Sequence, residues 1–161
     1  MRQNSGSPKN RDIQLAYGLL RATLGLNILM HGVARLLGGA GTFARTLIPM
    51  FASTPLPRWS VYDFGVALPF IEAILGALLL VGLKTRWALI SGCGLLFVLT
   101  FGSSLRQDWE TTALQLIYTA LYTALLAGIR WNSISIDLML QHPSDDCSRC
   151  SVSDSSMEGY S

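Results

Sequence analysis

The chain has 161 residues, half of them hydrophobic and only 14% charged, with a mean hydropathy of +0.40 and a formal net charge of +2. A soluble domain of this size needs more charge on its surface, so membrane burial is the simple reading, and one domain accounts for the length. The small, scattered basic excess excludes a nucleic-acid footprint, and three cysteines, Cys93, Cys147 and Cys150, exclude a multi-disulfide secreted scaffold.

Residues 1–12 are polar and carry Arg2, Lys9 and Arg11. The apolar stretch behind them is too long for a signal-peptide core and lacks an A-x-A ending, so it reads as an uncleaved first helix. A hydrocarbon layer of roughly 30 Å needs about 20 apolar residues per span. Such runs occur at about 14–37, 64–83, 87–105 and 112–129. The expected fold is therefore all-α, an integral membrane four-helix bundle occupying residues 13–140, with a long first loop and a tail at 141–161. Trp59, Trp87, Trp109 and Trp131 all fall at span ends, the position of amphipathic rings among lipid headgroups.

Between the first two spans, Gly38 to Asp63 is the longest connection. Its middle, Thr42 to Phe51, suits either a short amphipathic helix on the outer surface or an irregular loop capping the bundle, and Pro55 and Pro57 force an extended return. After Trp131, Asn132 to Leu140 suits a short interfacial helix, and the Ser- and Asp-rich tail beyond reads as disordered. Arg2, Lys9, Arg11, Lys84, Arg86, Arg130 and Arg149 fall on one side, against Arg35, Arg45, Arg58 and Arg106 on the other. The positive-inside rule then makes both termini cytoplasmic.

The first span carries ionisable groups into the hydrocarbon layer. Asn27, His31 and Arg35 recur at i, i+4 and i+8 and form one stripe, with Arg21 beside it and Gly18, Gly25 and Gly32 in the adjacent sector. Leu19, Leu26, Met30, Val33 and Leu37 cover the opposite, lipid-facing side. On the second span Gly65, Pro69, Glu72 and Gly76 share a face. An intramembrane charge carries a penalty of roughly 2.5–3.5 kcal/mol on insertion scales, so Glu72 turns inward and finds a cation. Its depth, midway along the span, favours Arg21 over Arg35, with His31 or Asn27 completing the network. Ala88, Ser91, Gly92, Gly94, Gly102, Ser103 and Ser104 give the third span small side chains for close packing. Gln115, Tyr118, Thr119 and Tyr122 share a sector of the fourth and point hydrogen-bonding groups to the same interior. Cys93 reads as a packing residue. Cys147 and Cys150 have the spacing of a dithiol couple or half a metal site, but no second Cys or His pair accompanies them, so no metal is expected.

These residues resemble a known family. Leu20-Arg21-Ala22 to Gly25, then His31-Gly32-Val33-Ala34-Arg35-Leu36, Gly38-Gly39 and Phe43-Ala44 look like the first helix and loop of the DoxX/DoxD family. Glu72, Gly76, Val81-Gly82-Leu83 and Thr85-Arg86 are similar to its second helix and closing turn. The likeness runs over about residues 16–130, with Arg35 where a lysine is more usual. It implies a small multi-pass protein of the bacterial inner membrane, tied to thiol or thiosulfate–quinone redox chemistry and working with other redox subunits. It supplies no catalytic residues.

Two functions of different class follow. In the first, Arg21, Asn27, His31, Arg35, Glu72, Gln115, Tyr118 and Tyr122 form a polar seam that binds a quinone, with electrons from a partner subunit. In the second, the seam only fixes the fold of a non-catalytic accessory subunit packed against a larger membrane complex. An ion pathway through the spans is a third reading.

Overall fold

The computed structural model describes residues 8–132. Among them are five α-helices: α1 (Pro8–Leu37), α2 (Ala40–Met50), α3 (Arg58–Val81), α4 (Thr85–Leu105) and α5 (Trp109–Ala127), followed by a 3-10 turn at Ile129–Trp131. Three of the helices are long and apolar enough to cross a membrane: α1 from Asn10, α3 and α4. Helix α5 falls short in composition, because Glu110, Gln115, two tyrosines and four threonines dilute its leucines. The first helix starts at Pro8, inside the segment expected to be polar and separate; proline is well placed in a first turn, where its missing N–H is no loss. The tail, with Cys147, Cys150 and the expected helix at Asn132 to Leu140 apart from Asn132 itself, lies outside the described residues.

Antiparallel packing of α1 on α3 is the tightest contact, and glycine makes it so. A Cβ placed on Gly25 would stand 2.7 Å from the Leu80 nitrogen; one on Gly32 would strike the backbone of Ala73, and one on Gly76 the backbone of Leu29. Each step up α1 is matched by an equal step down α3, which fixes the register of the pair. The apolar faces turned away from this seam stay uncovered: Leu19, Leu26, Met30, Phe70 and Ile74 are all exposed, as expected of surfaces that meet hydrocarbon rather than water.

The residues 40–50 form a helix, and the structure seats it on α3 rather than leaving it on a surface of its own. Ala44, fully buried, lies against Gly65, where a Cβ would come within 2.9 Å of the Ala44 Cα. The chain enters α2 through Gly39 at φ 87°, a left-handed conformation that glycine adopts without strain. Helix α3 ends at Gly82, φ 75°, with the amides of Gly82 and Leu83 both donating to the Leu78 carbonyl.

A three-residue turn joins α4 to α5, which makes them antiparallel neighbours. Gly92 lies directly under the Tyr122 ring, and Ser103 faces Thr112 across the same interface at 2.9 Å. Asp108 caps α5 by accepting from the Thr111 amide and hydroxyl. The Thr111 hydroxyl, then its amide, hold the Asp108 carboxyl below the usual carboxylate range. The cap is therefore complete above the unfolded-state pKa and is lost as pH falls through the lowered one. Small residues on α4 do not all serve packing: Gly92, Ala88 and Ser103 are buried, whereas Ser91 and Gly94 are exposed, and nothing lies within 4 Å of a Cβ on Gly94.

The register implies a measurable asymmetry among glycines. Gly76→Ala overpacks the α1–α3 seam and is expected to cost about 1–3 kcal/mol of stability. Gly94→Ala is expected to leave stability unchanged or raise it by up to about 1 kcal/mol through helix propensity. Thermal unfolding of the purified protein in detergent, followed by circular dichroism, measures both; equal losses would contradict the packing described.

Candidate functional site

Most of the polar residues singled out on the first span converge. Asn27, His31 and Arg35 of α1, Glu72 of α3 and Gln115, Tyr118 and Tyr122 of α5 line one cavity of about 150 Å³, closed by Leu24, Ile28, Leu95, Leu96 and Leu99. It sits where two apolar clusters meet, one built on Leu79, Leu89, Tyr122 and Leu125, the other on Leu68, Leu75 and Leu95. His31 is exposed at its edge, Asn27 is half-buried, and Glu72 and Tyr122 are buried. The stripe at i, i+4 and i+8 is thus exposed at its middle, His31, and half-buried at both ends, Asn27 and Arg35.

Glu72 does not pair with Arg21, as its depth suggested. Its partner is Arg35, whose Nη1 donates to both carboxylate oxygens at 2.5 and 2.6 Å. The reason lies in the register: Gly32 is seated against Pro69 and Ala73, which brings the next turn of α1 within an arginine's reach of Glu72. Helix α3 also begins at Arg58, six residues before its expected start, so fractions of a span misplace depth. The Arg35 guanidinium stands over the Phe43 ring at 4.6 Å, a cation–π contact that adds α2 to the cluster. One side chain thereby touches α2 and α3 from α1.

Arg21 lies outside the cavity, 4% exposed, and donates from Nη1 to the Leu79 carbonyl at 2.9 Å. That carbonyl belongs to the last turn of α3, where no later helical amide reaches it. A cation there also meets the negative end of the helix dipole. Arg21 is thus a helix cap contributed by a neighbouring helix and does not line the cavity.

The remaining polar groups are arranged by neighbours that the sequence did not single out for this. Ser103 donates to Gln115 Oε1 at 2.7 Å, so Gln115 keeps its NH₂ group to offer as a donor. The Thr112 hydroxyl, 2.9 Å from that of Ser103, gives its one proton either to that serine or to the Asp108 carbonyl at 2.8 Å. The Tyr122 hydroxyl is buried and has no hydrogen-bond partner among the described residues. Thr119, expected in the same sector, turns its hydroxyl back to the Gln115 carbonyl at 2.8 Å and does not line the cavity. The walls formed by Leu95, Leu96 and Leu99 have the i, i+4 spacing of any packed helix, so nothing in the sequence marked them.

A cavity of about 150 Å³ is the size that takes a single six-membered ring. Donors outnumber acceptors around it, because the one carboxylate is already held by Arg35. The site therefore suits a planar, apolar ring bearing hydrogen-bond acceptors. Among the described residues no group of three or more His, Cys, Asp or Glu side chains is placed to hold a metal. Comparison with family models, with curated proteins and with solved structures finds no match for the chain.

The ion pair is open to a double-mutant cycle. Glu72→Gln or Arg35→Gln alone is expected to cost roughly 3 kcal/mol, the lower end for breaking a buried pair, since 30% of the Arg35 side chain is exposed. The double variant should regain at least half of the summed loss, whereas Glu72→Gln combined with Arg21→Gln should be additive. Denaturant unfolding in micelles reads all of these variants, and additivity of Glu72→Gln with Arg35→Gln would refute the pair.

Proposed function

We propose that the chain is a DoxX/DoxD-like, redox-linked subunit of the bacterial inner membrane that binds a quinone ring in the cavity between α1, α3, α4 and α5. The observation that carries this reading is the convergence of an unpartnered buried Tyr122 hydroxyl, Gln115, Tyr118, Asn27 and His31 on a ring-sized cavity with leucine walls. A quinone supplies what those groups lack: two carbonyl oxygens that accept hydrogen bonds, on an apolar ring. Its access from the bilayer is natural, because His31 is exposed at the edge of the cavity, next to the exposed Met30.

In this reading all four long helices cross the membrane and both termini are cytoplasmic, with α5 spanning by virtue of its packing on α4 while its polar residues face inward. Tyr122 and the Gln115 amide donate to the bound ring. His31 supplies the cavity's imidazole and is the group able to pass a proton between ring and surroundings. The electrons come from a partner redox protein, the kind of subunit that the sequence resemblance implies.

A second reading, an accessory subunit whose cluster only fixes its fold, draws support from Arg35, which binds α1 to both α2 and α3. Binding separates the two. Titration of the purified protein with a benzoquinone lacking a side chain, read by calorimetry, should show saturable binding that Tyr122→Phe and His31→Gln each weaken about tenfold, the value of one hydrogen bond at roughly 1.4 kcal/mol. Thermal stability should not fall in Tyr122→Phe, since that hydroxyl has no protein partner to lose. Absence of binding to the parent protein favours the accessory subunit.

A further inference from the structure

A second, larger chamber adjoins the ring-sized cavity. It measures about 520 Å³ and lies beneath α2, between α3 and α4, with Leu47, Phe64, Leu68 and Val98 among its walls. Arg35, Leu99 and Gln115 line both spaces, so the two are separated by these three side chains alone or joined past them. The chamber's rim includes Met50, Val98 and Phe101, which are 46%, 46% and 56% exposed and belong to the faces turned to lipid.

The chamber's charge decides its occupant. Its wall carries two arginines, and both are neutralised: Arg35 by Glu72, and Arg106 by Asp108 at 3.2 Å, with the Arg106 guanidinium also over the Phe51 ring at 5.3 Å. Among the described residues that line it no uncompensated cation is present to draw an anionic lipid headgroup, and the rest of the lining is mainly aliphatic and aromatic. The space suits a neutral hydrocarbon chain. It is more than three times the volume of the ring cavity and shares Arg35, Leu99 and Gln115 with it as walls.

We propose that this chamber holds the hydrocarbon tail of the same quinone whose ring occupies the smaller cavity, so that the ligand is a tailed, membrane-resident quinone threaded past Leu99. The inference rests on the ring-binding reading and adds what that reading leaves open, the substrate class. The tail contributes affinity through close fit to the chamber walls, since it leaves surroundings as apolar as those it enters, while the ring's hydrogen bonds fix orientation.

The test compares a prenylated benzoquinone with the same ring lacking the tail, by calorimetry on the full-length protein in detergent. The parent protein should bind the tailed form at least tenfold more tightly. Val98→Trp from α4 and Leu47→Trp from α2 fill the chamber from opposite walls at half-buried or exposed positions, and each should abolish that preference while leaving the tail-less affinity unchanged. Partitioning of the tail into micelles is common to parent and variants, so a preference that survives both substitutions overturns the inference. Equal affinities in the parent protein, the result expected if a phospholipid acyl chain fills the chamber, overturn it too and leave the ring reading standing. Failure of the tail-less quinone to bind the parent overturns both.

Discussion

Everything else in this fold is set by how closely α1 can approach α3. Glycine at 25, 32 and 76 removes the side chains that would hold the two backbones apart, and the resulting contact has little tolerance for sliding. In a bilayer, where lipid is as apolar as leucine, such close fit has to supply the association energy that water would otherwise provide. Fixed register then does chemical work. It carries Arg35 to Glu72 and Arg21 to the last turn of α3, so that two arginines of one helix acquire different duties from a single geometric constraint.

The pair of Arg35 and Glu72 is also a boundary. On one side lies the ring-sized cavity with its amide, phenol and imidazole groups; on the other lies the chamber roofed by α2. A charged pair at that position keeps the two spaces distinct in polarity while allowing them to be adjacent. Phe43 contributes from α2 by lying under the guanidinium, which places the short helix in the site as a structural wall rather than a surface appendage.

Much of this was legible in the sequence, and the parts that were not share a cause. Helical periodicity alone grouped Asn27, His31 and Arg35, and likewise Gln115, Tyr118 and Tyr122, because residues on one helix have fixed relative positions. The exposed leucines of α1 followed from the same projection. What periodicity cannot supply is the offset between helices, and the partner of Glu72 depended on that offset. The role of Arg21 was hidden for the same reason, since the Leu79 carbonyl is a backbone group that no residue pattern advertises. Ser103 was visible as a small residue, but its use in orienting Gln115 needed the α4–α5 interface. The start of α3 was misjudged because Arg58 and Trp59 look like a boundary, whereas the helix runs through them.

The packing of α5 has a mechanical meaning. Near one end of the molecule Tyr17 of α1 lies against Gly128, just past α5, within an apolar cluster that also contains Leu125 and Leu79. Toward the other end α1 and α5 are separated by the cavity that His31 and Gln115 line. The two helices therefore meet at Tyr17 and diverge over the cavity, as the arms of a pair of tweezers do. The gap between α1 and α5 sets the width of the cavity, while the glycine seam with α3 sets the register of Arg35 and Glu72, so one dimension of the site is independent of the other.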